Sequence, residues 1–357
     1  MIKEEQKKKG EVIELFLFSI TVFGTTPDAL SEQGPQMLGT IQIIRRLIEN
    51  TSMTILCSIP GFFQFLNEVG HITVSCLGAT IVEVDEGWIS EACDECLQTW
   101  VKISDSSIWD GMAPDQKQHL VQYLTHVSYQ IVDTYINTRL EHAKAVLEDE
   151  EEEDEIDAGF KDWDTFGDQL TCIGTLARIN PQPCIARLHQ LFYERYDKFR
   201  AFFTSHADNV QELLLIHEQI HWIILIAAHI LADAGKGEQP MIPESIMQLS
   251  GTQSVDQDMT VRLSEAFIEL FRFTSNFDSN TVEASNCSPR VAETLVWYLE
   301  RWCKSYLLID ENEYSYIRYK RWICFSFLFA NTSFQYIVQI LPRPLVDLVL
   351  LMEKGCR

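Results

Sequence analysis

Apolar residues recur along most of this chain at intervals of three and four, the period of a helix with one buried face. In DQKQHLVQYLTHVSYQIVDTYINTRL (115–140), Leu120, Leu124, Val127, Ile131 and Tyr135 fall on one stripe. Asp115 is placed to cap its start, with Pro114 just ahead. FGDQLTCIGTLARI (166–179) and PCIARLHQLFYERYDKFRAFF (183–203) read as two helices broken at Asn180, Pro181 and Pro183. A further helix runs through IHEQIHWIILIAAHILA, apolar all round at its end. Asp208 with Gln211 reads as its capping box, and Gly235 and Gly237 as its stop. Ser288 and Pro289 open SPRVAETLVWYLERWCKSYLLID, where Val291, Leu295, Tyr298, Trp302 and Tyr306 form another stripe. The one strand candidate is HITVSCLGATIVEV (71–84).

Long helices with short connections pack as antiparallel pairs, and such pairs stacked in a row form an α-solenoid. The expected fold is therefore all-α, of HEAT- or armadillo-like helix pairs. Three regions are expected: an atypical segment 1–70, a helical-repeat region 71–317, and an apolar segment 318–357. Within the second lie an acidic run at 148–157 and a Gly/Pro-containing connector at 235–256, with a short helix from Pro243. The uncharged run from Trp322 to Leu341 is long enough to span a bilayer. Its Asn331, Ser333, Gln335 and Gln339 favour a buried helix instead.

Composition narrows the partners. The chain has 357 residues, with 52 Asp and Glu against 28 Lys and Arg, a formal charge of -24. Such a surface repels nucleic-acid phosphate and anionic lipid and attracts basic proteins. The run Glu148, Asp149, Glu150, Glu151, Glu152, Glu153, Asp154, Glu155 and Asp157 concentrates that charge and is the candidate contact for a basic partner. Its bland alternative is a solvated loop. Ten cysteines, scattered through apolar helical patterns, suit packing in a reducing compartment better than a disulfide framework. Lysines precede an apolar stretch near Met1, but interrupting glutamates argue against a secretory signal.

Three motifs invite chemistry. His217-Glu218-x-x-His221 has the spacing of a zinc peptidase helix, yet Ile224 and Ala227 stand where an extended zinc-protease pattern needs Gly and His. Glu238 and Glu244 lie in the connector and a helix start, without the flanking pattern of a third ligand. Cys93 and Cys96 form a lone pair in what reads as helix interior, with no second pair to complete a zinc site. The AGKGE stretch (234–238) lacks the upstream glycine and following hydroxyl of a phosphate loop. No catalytic residue, metal or cofactor is expected.

IHWIILIAAHILAD (220–233) followed by PMIPESIM (240–247) closely resembles a segment of the exportin-4 family, within the importin-β superfamily of nuclear transport receptors. FGDQLTCIGTLARI and VWYLERWCKSYLLIDENEY (296–314) resemble the segments before and after it, in the same order, so the likeness spans about 90–317. It implies a HEAT-repeat receptor that binds protein cargo together with GTP-bound Ran, passes the nuclear pore, and shuttles between nucleus and cytoplasm. Implied cargo includes a hypusine-bearing translation factor and transcription regulators. Residues 1–52 and those beyond Ile317 lie outside the likeness. The alternatives are a Ran-independent helical scaffold or cargo-binding decoy and, more remotely, the zinc peptidase.

Overall fold

A computed structural model describes residues 8, 10–11, 34–81, 87–148, 161–205, 209–232, 241–254, 257–278 and 281–306. Among the described residues every regular element is helical. The chain divides into two compact units, 1–180 and 181–357.

In the first unit α1 (Gly34–Glu49), α2 (Met53–Leu56), α3 (Phe62–Ala79), α4 (Gly87–Ser104), α5 (Pro114–Glu148), α6 (Asp162–Thr165) and α7 (Gly167–Ala177) follow in order. Cross-helix contacts fix their directions. Phe63 stacks on His119 and Gly70 meets Val127, so α3 and α5 run parallel. Gln42 bonds Glu91 and Arg45 bonds Glu95, so α1 and α4 run parallel as well. Thr73 meets Trp100, while Arg139 meets Gln169 and Thr125 meets Asn180. The last two contacts make α5 and α7 antiparallel neighbours across the layers, and the first joins α3 to α4. Helices α1, α4 and α7 make one layer and α3 and α5 the other. The core lies between them, around Phe62, Phe65, Trp100 and Tyr135.

The second unit repeats the scheme with α8 (Pro181–Ser205), α9 (Val210–Leu231), α10 (Glu244–Gly251), α11 (Met259–Ser275), α12 (Val282–Ser285) and α13 (Pro289–Tyr306). Phe192 meets Phe267 and Phe199 meets Phe273 edge to face, and Phe203 stacks on Phe277 just beyond α11, so α8 and α11 run parallel. Glu218 meets Arg290 and His221 meets Thr294, so α9 and α13 are also parallel. Arg195 with Gln219 and Phe199 with His217 make α8 and α9 antiparallel. Antiparallel hairpins whose like helices run parallel are the organisation of the helical-repeat α-solenoid class.

The stripes expected from periodicity are buried, Leu120, Leu124, Val127, Ile131 and Tyr135 on α5 and Val291, Leu295, Tyr298 and Trp302 on α13, except that Tyr306 at the end of the second is half-buried. The proposed strand is not one. Residues 71–79 continue α3, because Phe62, Phe65, Leu66, Val69, Ile72, Thr73 and Cys76 bury one helical face. That helix starts on Gly61, whose positive φ of 84° suits the residue without a Cβ. Residues 82–84 lie outside the described residues.

Three caps also differ from expectation. Asn209, not Asp208, caps α9 by accepting from the Glu212 N–H, and its own amide donates back to the Glu212 carboxylate. Asp115 sits inside the first turn of α5, where Gln116 accepts from the Ala113 N–H. Helix α9 ends at Leu231, ahead of the two glycines, which lie outside the described residues. Ser288 does cap α13, accepting from the Val291 N–H at 3.4 Å, and α10 begins just after Pro243.

Candidate partner-binding cleft

The peptidase-like motif is taken up by packing. His217 is buried against Phe199, with a ring separation of 5.4 Å. Its Nε2 has no partner, and desolvation lowers its pKa to about 4. His221 turns to the other neighbour, α13. The Thr294 hydroxyl donates to the Arg290 carbonyl, which leaves its oxygen to accept from the His221 Nδ1–H at 2.6 Å. Glu218 accepts from Trp222 Nε1 on one oxygen and from Arg290 on the other. The two histidines thus face α8 and α13, and the carboxylate that would act as base bridges α9 to α13.

Cys93 and Cys96 are buried inside α4, as their pattern suggests, beside Cys76 of α3. Desolvation raises the Cys93 thiol well above its usual value. For Cys96 a hydrogen bond with Cys76 is the first cause of a similar rise. Burial of this kind keeps thiols protonated and unreactive. No His, Cys, Asp or Glu cluster among the described residues has the form of a metal site. Helix α9 is long and apolar enough to cross a membrane, but most of it is enclosed in its unit.

The candidate acidic run begins where α5 ends. Glu148 is that helix's last residue, and 149–157 lie outside the described residues. The stretches 234–238 and 322–341 lie outside them too.

A cleft of about 520 Å³ opens between α3 and α5, a size typical of ligand clefts. Asn67, Gly70, His71 and Val74 line one wall, and Tyr123, His126, Val127, Tyr129, Gln130, Asp133 and Thr134 the other. Gly70 sets its floor, since a Cβ there would lie 3.4 Å from Val127. Tyr123 wedges its ring between Phe63 and Trp100, and its buried hydroxyl lacks a partner. Among the described residues that line it, Asp133 is the one carboxylate, and none is Lys or Arg. One Asp133 oxygen accepts from Asn137, at 3.2 Å.

Sequence reading passed over this cleft. Asn67, His71 and Val74 step by four and three along α3, and His126, Gln130 and Asp133 do the same along α5. The α3 part of that lining is visible only once 62–79 is recognised as a helix.

Paired helices in two layers define a helical-repeat protein of the α-solenoid class. The family model described as Exportin-4 matches residues 34–317, and the chain belongs to that family. It is similar to Exportin-4 of Dictyostelium discoideum, with 25% identity over 254 residues. That match covers 63% of this chain and 21% of the relative, so the chain spans about one fifth of that protein's length. Family membership points to a transport receptor and away from an enzyme.

Proposed function

We propose that this chain is a segment of a nuclear export receptor that binds protein cargo together with GTP-bound Ran. It accompanies both through the nuclear pore, contacting pore proteins and shuttling between nucleus and cytoplasm. The family match over 34–317 is the observation that carries this reading. The matched region, 34–317, supplies the helical-repeat body. Recognition is by surface complementarity, and a formal charge of -24 steers basic partners towards it.

Two acidic features receive basic groups of the partner: Asp133 on α5 and the run that begins at Glu148. Asp133, the one carboxylate among the described residues lining the cleft, is the first candidate contact. The run from Glu148 to Asp157 makes a second, more diffuse contact. The test is binding of the hypusine-bearing translation factor, with Ran in its GTP form, to wild-type chain, Asp133→Asn, and a chain with 148–157 charge-reversed. Each variant is expected to weaken binding and flatten its salt dependence. Unchanged, salt-independent binding in both variants overturns the acidic-contact reading.

A further inference from the structure

The cleft holds more hydrogen-bonding groups than the protein itself uses. Asn67 and His71 stand one turn apart on α3, and His126 and Gln130 one turn apart on α5. All four are exposed, and none of their side chains makes a hydrogen bond among the described residues. Asp133, in contrast, is already tied to Asn137 and to a further partner. We propose that the α3–α5 cleft binds a neutral N-acetylated sugar, held by the Asn67 and Gln130 amides and the His71 and His126 imidazoles. This site goes beyond the receptor reading and does not use the acidic contacts.

With no Lys or Arg among the described lining residues, a phosphate or carboxylate guest lacks its usual partner. A lipid or flat aromatic guest wants a predominantly apolar wall, and here only Gly70, Val74 and Val127 carry no polar side-chain atom. An uncharged guest rich in donors and acceptors remains, with one apolar face to lie on Val74, Val127 and the Tyr129 ring. Side-chain amides both donate and accept, which suits ring hydroxyls and an acetamido group. Gly70 meets Val127 on parallel helices, and Asn67 lies three residues before the one while Gln130 lies three after the other. At about 1.5 Å per residue the two amides are offset by roughly 9 Å along the helix axes, about the length of one N-acetylhexosamine. A volume of about 520 Å³ accommodates it.

The probe is N-acetylglucosamine, titrated into the isotope-labelled chain and followed by NMR at the side-chain amides of Asn67 and Gln130. A guest of about fifteen non-hydrogen atoms should bind at about 1 mM, with shifts that saturate at these two amides. The double variant Asn67→Ala/Gln130→Ala, shown by melting curves to be folded, should bind at least about tenfold more weakly. Asp133→Asn should stay within about twofold of wild type, so this site and the acidic contact stand or fall separately. A double variant that binds like wild type puts the sugar elsewhere and overturns the proposal. So does the absence of any shift at about 20 mM sugar, or an equal response to the uncharged peptide acetyl-Gly-Asn-Gly-amide, which makes the cleft a peptide groove instead.

Discussion

Arg290 reaches from α13 to Glu218 on α9, Nη1 to Oε2 at 2.8 Å, while Trp222 holds the other carboxylate oxygen. A residue that reads in sequence as a catalytic base is thus a strut between two parallel helices. The Glu218 side chain is 20% exposed and that of Arg290 48%, so solvent screens the pair. Glu218→Ala is expected to cost about 1 kcal/mol and to lower Tm by a few degrees. Zinc content measured by mass spectrometry should be the same in the variant and the wild type. One equivalent of tightly bound zinc in the wild type, lost on His217→Ala with His221→Ala, contradicts the strut.

His217 makes stability depend on pH. Its folded pKa, lowered by desolvation to about 4, lies below the ordinary histidine value of 6.5. The unfolded chain therefore binds the proton more readily, and stability rises with pH across that interval. The contribution is fully present above pH 6.5 and is lost as pH falls towards about 4. His217→Met removes the ionisable group and the unpartnered Nε2. Relative to wild type, the variant should gain about 2 kcal/mol on going from about pH 7.5 to pH 5 in denaturant titrations. An equal difference at both pH values refutes the assignment.

Much of this was legible beforehand, because long apolar stripes such as Leu120–Tyr135 depend on helical period alone. What escaped had local physical causes. The 71–79 stretch is rich in β-branched residues, but Thr73 bonds the Val69 carbonyl and accepts from Trp100, and the tertiary contacts override propensity. Asp208 and Asn209 are adjacent and both competent caps; the choice fell to Asn209, whose amide also reaches Glu212. His217 and His221 share a helix face by spacing, yet α8 and α13 flank that face from different sides. Only tertiary structure separates them. The cleft joins α3 to α5 across a long sequence separation, which no local pattern encodes.

The carboxyl end of α9 is held from α13. Arg301 donates through Nε and Nη2 to the Ala232 carbonyl, at 3.2 and 3.1 Å, and the Tyr306 hydroxyl donates to the Leu231 carbonyl at 2.6 Å. These satisfy acceptors that a helix terminus leaves open, and the cation also suits the negative end of the helix dipole. Arg301→Met should cost about 1.5–3 kcal/mol and Tyr306→Phe about 1 kcal/mol, read from denaturant midpoints. Amide exchange at 228–232 should accelerate in both. No change in exchange there rules out this capping role.

Gly34 lets α1 lie directly on Trp88 of α4, because a Cβ at that position would collide with the indole. Gly34→Ala should therefore cost about 1–3 kcal/mol through forced displacement. Trp88→Ala made together with it should recover part of the loss that each change causes alone. Fully additive losses contradict a direct clash.

The most direct test of the receptor reading is the affinity of the purified chain for the hypusine-bearing translation factor in the presence of Ran, measured by interferometry. The account predicts binding at least about tenfold tighter with Ran in its GTP form than in its GDP form, the size of a typical coupling between linked sites. It also predicts weakening of that binding by Asp133→Asn. Equal affinity in both nucleotide states contradicts it and identifies a Ran-independent scaffold.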